Sequence, residues 1–538
     1  SAIRCTLLSS IVTALTAPIG AQSAAPGFRL WGALGGTDTY LMDVNGAIVQ
    51  TWPSAYLPGA TVYLQPDGLL LRSTKVGSSF GPAGDGGGLQ RVRLDGTVAW
   101  DYRYNTPSRV AHHDVELLPN GNVLMIAWGA RSAPVMIANG RDPAITTIPV
   151  FWPDHVVEVR QTSPYDGEIV WRWDIFDHVV QDFDPNRANY GVIADNPQLL
   201  NINYPYNVPS FGDYNHVNSV DYDPAHDWIV LSAPQQDELW IIDHSTTTAE
   251  AAGHTGGARG KGGDILYRWG NPEAYGRGTP ADRKLFKQHA PLVIPPGYPG
   301  AGNIIIFNNR PPGGSQVVEI QLPIDASGNI VEPPAGQPYG PSAPVWTFAN
   351  QLLNSINISS AERLPNGNTL ICSGAQGWIF EITSSGQLVW NHIASPADVF
   401  HAHYYEHWLW ADDDRMSLQT GGTVGFDLIA GTPHAGKTYM LIGTLSGTDP
   451  GIDIGLPDPL PLNYDAYLLA SVTNPNVYPL ANSVGVLDGL GRGTATFSLP
   501  GGLPAIFAGL EFHHAYVVFD PVSGIDHISN AVPLELYF

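Results

Sequence analysis

Short apolar runs alternate with polar turns along most of the chain, and two such units recur in step. The first is a Pro/Gly/Asn turn leading into an apolar strand, at Pro66 (PDGLLL), Pro119 (PNGNVLMI), Pro224 (PAHDWIVL), Pro299 (PGAGNIIIF) and Pro365 (PNGNTLI). Turns of this composition join antiparallel strands, because Gly and Asn accept a left-handed backbone and Pro presets φ. The second unit is a turn residue followed by an alternating strand with Trp or Tyr in fifth place. It occurs at Gly96 (GTVAWDY), Gly167 (GEIVWRW), Gly263 (GDILYRW), Ser342 (SAPVWTF) and Gly386 (GQLVWNH), and one unpaired copy comes first at Gly46 (GAIVQTW). Alternation with period two predicts outer strands whose aromatic residues pack between neighbouring sheets.

Complete pairs plus one leading strand predict a six-bladed β-propeller over residues 28–410. Its last blade is closed by pairing 38–52 with VFHAHYY (399–405), which leaves no open sheet edge. Past Arg415 the pattern changes to separate alternating strands: TVGFDL, TYMLIGTL, GTATFSL, AYVVFD and AVPLELYF. These predict a β-sandwich over 423–538, joined through a linker at 411–422. The fold class is therefore all-β, a six-bladed β-propeller followed by a small β-sandwich domain. Helical patterning is scarce, and its best candidate is PADRKLFKQ (280–288).

Within that frame, His113, His216 and His289 each stand just before the inter-strand turn of successive repeats, at 118–122, 223–227 and 299–303. If the strand carrying each one lies nearest the axis, the imidazoles share one cavity. The long gaps before Gly167 and Gly263 put extended loops on the same blades, as a binding face requires.

Composition narrows the partners. A formal charge of -24 argues against nucleic acid and anionic lipid. Arg4, the apolar run from Cys5 to Ala17 and the small residues after it predict a signal peptide over 1–23, hence a secreted or periplasmic protein. The remaining cysteine, Cys372, has no internal partner and reads as strand packing. His401, His403 and His407 alternate on the closing strand and read as a solvated face rather than a metal site. His513 and His514 read as surface or partly buried. The turn PAGDGGG (82–88) lacks the acidic spacing of a calcium loop.

The strings HHDVELLPNGNVL (112–124), HVNSVDYD (216–223) and QHA (288–290) resemble, in order and separation, the three histidine motifs of the bacterial arylsulfate sulfotransferases, over residues 28–408. The resemblance implies transfer of a sulfuryl group from a phenolic sulfate ester to a phenolic acceptor, with no nucleotide donor, no cofactor and no metal. It places the sulfated nucleophile on His289. A neutral imidazole is a competent nucleophile near neutral pH, and a phenolate leaves poorly without a proton. His113 is therefore expected to act as acid and base, while His216 and Asn218 donate to sulfuryl oxygens. The family carries an Arg about where this chain has Ser232-Ala233-Pro234. Arg310 is the first candidate to replace that charge, with Arg259 and Lys261 behind it; Asn308 and Ser355 are weaker substrate-binding candidates. The family's disulfide is also absent. Two other classes fit the same repeat: a non-catalytic secreted propeller binding a glycan, phenolic ligand or protein, and a metal-dependent hydrolase on the same axis. The first needs no chemistry from the histidines; the second needs carboxylates beside them.

Overall fold

The computed structural model describes residues 23–538 except 66, 67, 78–83, 207, 210, 407, 457, 458 and 523. Nearly all of the segment expected as a signal peptide, together with His407 and the start of the PAGDGGG turn, lies outside the described residues. Among them no helix is long and apolar enough to cross a membrane.

Six four-stranded antiparallel blades surround one axis. Their innermost strands are Pro58–Leu64, Arg109–Leu117, Ser219–Asp223, His289–Val293, Ser360–Arg363 and Val399–Tyr405. The last of these pairs with Phe28–Ala33 and not directly with 38–52: the chain ends are joined in one blade as expected, but Thr39–Asp43 and Ile48–Trp52 form its two outer strands. Each outer-strand aromatic does what its place in the repeat implies. It packs on its blade and donates to the turn before the outer strand of the next blade: Trp100 to Asp166 O (3.1 Å), Trp171 to Thr246 Oγ1 (3.1 Å), Tyr267 to Gly340 O (2.6 Å), Trp346 to Ser384 O (3.2 Å) and Trp390 to Val44 O (2.8 Å). Trp52 closes the ring on Arg93 O at 3.1 Å, two places later in its repeat than the others. An indole or phenol here satisfies its one polar group while burying a large apolar face.

Three expectations need correction. Residues 411–422 are not a free linker: Trp408–Ala411, Arg415–Ser417 and Gly421–Ile429 are all strands of the C-terminal sheets. Asp412 stays solvent-exposed, and its carboxylate accepts from Gly425 N at the corner between two of these strands. The segment 280–288 forms one 3-10 turn, Pro280–Asp282, and Arg283 returns to extended backbone. His401 and His403 are buried rather than solvated, because the inner strand places both on the axis side of the molecule.

The sandwich has two sheets. One orders Trp408–Ala411, Gly421–Ile429, Arg492–Pro500 and Leu480–Ala481; the other is built on Glu511–Asp520 between Val532–Tyr537 and Thr438–Thr444. It shares a core with the closing blade: Phe28, Leu30, Leu41 and Trp52 pack with Trp408, Trp410 and Ile429. Buried Asp43 of the propeller accepts from Thr432 N at 2.9 Å.

Candidate active site

The innermost strands are irregular where they meet the axis. Pairing skips residues around Gly59 to Thr61, His112 to Asp114, Ala290 to Pro291 and Phe400 to His401. His113 (φ 51°), His216 (φ 55°), Ala290 (φ 48°) and Ile358 (φ 52°) adopt left-handed backbone there. For residues with a Cβ that conformation costs about 1–2 kcal/mol each and persists only where neighbours impose it. Bulges of this kind re-aim side chains, and here they turn imidazoles toward the axis.

The result is one cavity of about 570 Å³, lined by His113, His216 and His289 with Lys75, Lys287, Arg310 and Phe400. The rings of His113 and His216 are 4.6 Å apart, and Phe400 lies 5.7 Å from His113 and 5.8 Å from His289. Gly84 (φ +96°) covers the His113 ring so closely that a Cβ would come within 2.0 Å of it.

Hydrogen bonding assigns the tautomers. The Asn309 amide donates to Ser355 O (2.9 Å) and Ile358 O (2.7 Å), so its Oδ1 must be the atom facing His289 Nδ1 at 2.8 Å. His289 therefore carries its proton on Nδ1, and its Nε2 lone pair accepts from Ile358 N at 3.1 Å. Burial pushes His289 down to about 3, opposed in part by the Asn309 bond. The Nδ1–H of His216 is held by the carboxylate of Asp213, which leaves Nε2 for the cavity. His113 Nδ1 meets His112 Nδ1 at 2.8 Å, and His112 Nε2 contacts Asp154 Oδ1 at 2.8 Å. One of the two imidazoles donates across the Nδ1–Nδ1 contact, which leaves His113 Nε2 as its atom toward the cavity. Burial, then the imidazoles of His216 and His112, hold His113 well below the usual histidine value.

The other sequence candidates divide. Arg310 is on the cavity wall, its Nε donating to Ile356 O at 2.6 Å. Asn218 is buried and donates through Nδ2 to Gln288 O at 3.0 Å, bracing the strand of His289 instead of reaching the cavity. Asn308 is consumed by Phe286 N (2.7 Å) and Lys284 O (2.8 Å). Ser355 is buried, with Oγ between Asn357 O (2.8 Å) and Ala375 N (2.9 Å). These three are corrected to supports: Asn308 ends a strand and Asn218 and Ser355 lie in the segments leading into inner strands, and their short side chains meet backbone before open space. Asp114 bonds Tyr63 and Val220 N on the far face of its strand. Arg259 bonds His226 O and Lys261 pairs with Glu332, both away from the axial cavity.

Sequence reading missed His112, Asp154, Asp213, Asn309 and Lys287. The last had a signal, since it stands two residues before His289. Its ammonium donates to Pro234 O (2.7 Å) and Gln235 Oε1 (3.1 Å), at the very segment where the expected cation is lacking. Asp213 reaches His216 through folding of the connection between blades, and Asp154 reaches His112 from the start of the third strand of the same blade.

Fold and site together define a six-bladed propeller with a cation-rimmed imidazole cavity on its axis. The chain belongs to the arylsulfotransferase (ASST) family, whose model matches residues 38–406. No curated protein matches it. Among solved structures it is similar to a protein of unknown function from Bacteroides caccae, at 13% identity and TM-score 0.37 over 70% of this chain and 98% of that one. It is also similar to a catalytically inactive virginiamycin B lyase from Staphylococcus aureus with quinupristin, at 11% identity and TM-score 0.33 over 75% and 94% of the two chains. A protein from Lactobacillus plantarum matches at 9% identity and TM-score 0.34, over 71% of this chain and all (100%) of its own.

Proposed function

We propose that the protein moves a sulfuryl group from a phenolic sulfate to a phenol through a sulfated His289. The observation that carries this reading is the tautomer of His289: its proton is held on Nδ1 by Asn309, so the electron pair on Nε2 belongs to the cavity side. In the first half-reaction Nε2 attacks sulfur, the S–O bond to the aryl group breaks, and the departing oxygen takes the Nε2 proton of His216 in its imidazolium form, leaving the neutral ring with its Nδ1–H on Asp213. In the second, the acceptor phenol returns a proton to His216, its oxygen attacks sulfur, and the N–S bond breaks. His216 suits this task better than His113, because a buried carboxylate backs it directly and can stabilise its imidazolium, whereas His113 reaches Asp154 only through His112. Displacement of Ile358 N–H from Nε2 would free that donor for a sulfuryl oxygen, beside the charges of Lys287 and Arg310. Fixed donors of this kind suit a loose transition state.

The test uses a chromogenic aryl sulfate with and without a phenol acceptor. Ping-pong kinetics are expected, and donor alone should leave a sulfuryl adduct, stable to alkaline quench and mapping by mass spectrometry to His289. His289→Ala should lose it entirely. An adduct on His113 or His216 would reassign the nucleophile. Binding of aryl sulfates without turnover or adduct would favour a ligand-binding propeller.

A further inference from the structure

Away from the axis, the two long insertions meet around three side chains that the proposed reaction does not use. His178 lies in the connection between blades two and three, directly after the 3-10 turn Ile175–Asp177. His254 and Asp264 lie in the insertion of blade three that follows the short helix Thr248–Ala251. Two imidazole nitrogens and one carboxylate oxygen come within 4.8 Å of one another.

The donor atoms are arranged for a cation. His178 is fully buried, with Nε2 2.8 Å from Ala251 O. A carbonyl only accepts, so Nε2 holds the proton, and in the neutral ring Nδ1 is a lone pair. That lone pair faces Asp264 Oδ1 at 2.9 Å, and His254 Nδ1 approaches the same oxygen at 2.7 Å. Two nitrogens thus converge on one carboxylate oxygen. Either both rings bring protons to it, or a metal ion sits among the three.

We propose that His178 Nδ1, His254 Nδ1 and Asp264 bind one divalent transition-metal ion, zinc first among them. Imidazole with carboxylate is the donor set zinc takes, whereas calcium and magnesium require all-oxygen sites. The Ala251 carbonyl is the outer partner that metal-bound imidazoles recurrently have, fixing tautomer and ring orientation. Ligands held ~2.0–2.1 Å from zinc in a tetrahedron lie ~3.3 Å from each other, so binding needs these contacts to open by a few tenths of an ångström. The side chain of His254 is 57% exposed and has room for that movement. The same exposure leaves the fourth position to water.

The role that follows is a clasp. His178 stacks parallel to Trp173 at 5.9 Å, and Trp173 Nε1 donates to Gly263 O at 2.6 Å, so the ion would join the end of blade two to the insertion of blade three. None of the three residues lines the axial cavity.

The full-length protein stripped with EDTA and supplied with zinc should retain about one equivalent after gel filtration, and its Tm should rise. Cobalt in its place should show the visible absorption of a four-coordinate ion. His254→Ala, chosen because the exposed side chain can be removed without opening the core, should lose the equivalent, the cobalt spectrum and the Tm response. Zinc bound equally well by His254→Ala would overturn the site, since the ion would then sit elsewhere, for example among the axial histidines. Wild-type protein that retains no zinc and melts identically with and without EDTA would also overturn it, leaving protonated histidines paired with Asp264.

Discussion

A single displaced charge is the main departure of this chain from the pattern its motifs resemble. Where an Arg is expected there is Pro234, yet an ammonium returns to the same place from Lys287, on the segment that carries His289. Burial lowers the lysine from its ordinary value while nearby Asp237, 3.9 Å away, opposes the shift, and the ammonium stands at the cavity edge. A charged hydrogen bond to sulfate contributes about 1.5–3 kcal/mol, which corresponds to roughly ten- to hundredfold in binding. Lys287→Met should therefore raise the KM for an aryl sulfate by about that factor with a smaller effect on kcat, and Lys287→Arg should recover part of it. An unchanged KM would transfer the role to Arg310. The lysine was legible in sequence only as a spacing of two from the histidine. What decided its position is the left-handed backbone at Lys287 (φ 54°), which period-two reasoning does not contain.

At the scale of elements, the blades are joined by polar contacts as well as by the ring of aromatics. Arg29 of the closing blade bonds Glu381 of the preceding blade at 2.6 Å with both side chains fully buried, and the other oxygen of Glu381 accepts from Ala25 N at 2.7 Å and Asn368 at 2.6 Å. Arg363 reaches Glu319 in the same relation, one blade earlier. Removing one member of such a pair strands a buried charge and costs about 3–5 kcal/mol, whereas replacing both with apolar residues can be nearly neutral. Glu381→Ala should accordingly lower the urea midpoint strongly, and Arg29→Met with Glu381→Leu should recover most of the loss. Equal loss in both variants would show that packing, not the unpaired charge, holds this junction. The strands themselves were readable because alternation and turn residues agree locally. These cross-blade pairs were not, since Arg29 and Glu381 are far apart in sequence and meet only when the ring closes.

The whole molecule carries an unusual load of buried titratable groups. Burial holds His155, His289 and His514 at about 3, and His112, His113 and His401 well below their ordinary value. Each stays neutral in the folded state but takes a proton in the unfolded chain below ~6.5, so its stability contribution is complete above that pH and is lost as the pH falls toward 3. Buried carboxylates act oppositely: burial raises Asp114 to about 6 and also raises Glu116 and Asp221, along the inner strands near His403. They bind protons in the fold and offset part of the loss until the same carboxyls of the unfolded chain take up protons, near pH ~4. Tm should thus decline as pH falls below ~6.5 and more steeply below ~4. His514 lies far from the axial cavity under Phe426 and Phe497, with Tyr467 Oη 2.9 Å from its Nε2. His514→Gln should reduce the slope of stability against pH by up to about 1.4 kcal/mol per unit in that window. An unaltered slope would mean that His514 takes up its proton in the folded state.

By itself the sequence determined the number of blades, the closing strand, the outer aromatics and the three axial histidines, because each is written in a local period that hydrophobic burial and turn chemistry enforce. The same local signals put a linker where strands run, since the acidic run Asp412 to Asp414 is solvent-exposed yet connects strands of the C-terminal sheets. Tertiary structure alone decided which polar side chains face open space. Asn218, Asn308 and Ser355 lie beside site residues but spend their hydrogen bonds on backbone, while Lys287 reaches the cavity from a left-handed turn, and Asp213 and Asn309 hold its histidines from an inter-blade connection and from the turn after a blade-four strand. Those positions depend on left-handed turns and on contacts between distant blades, and neither leaves a periodic trace in the chain.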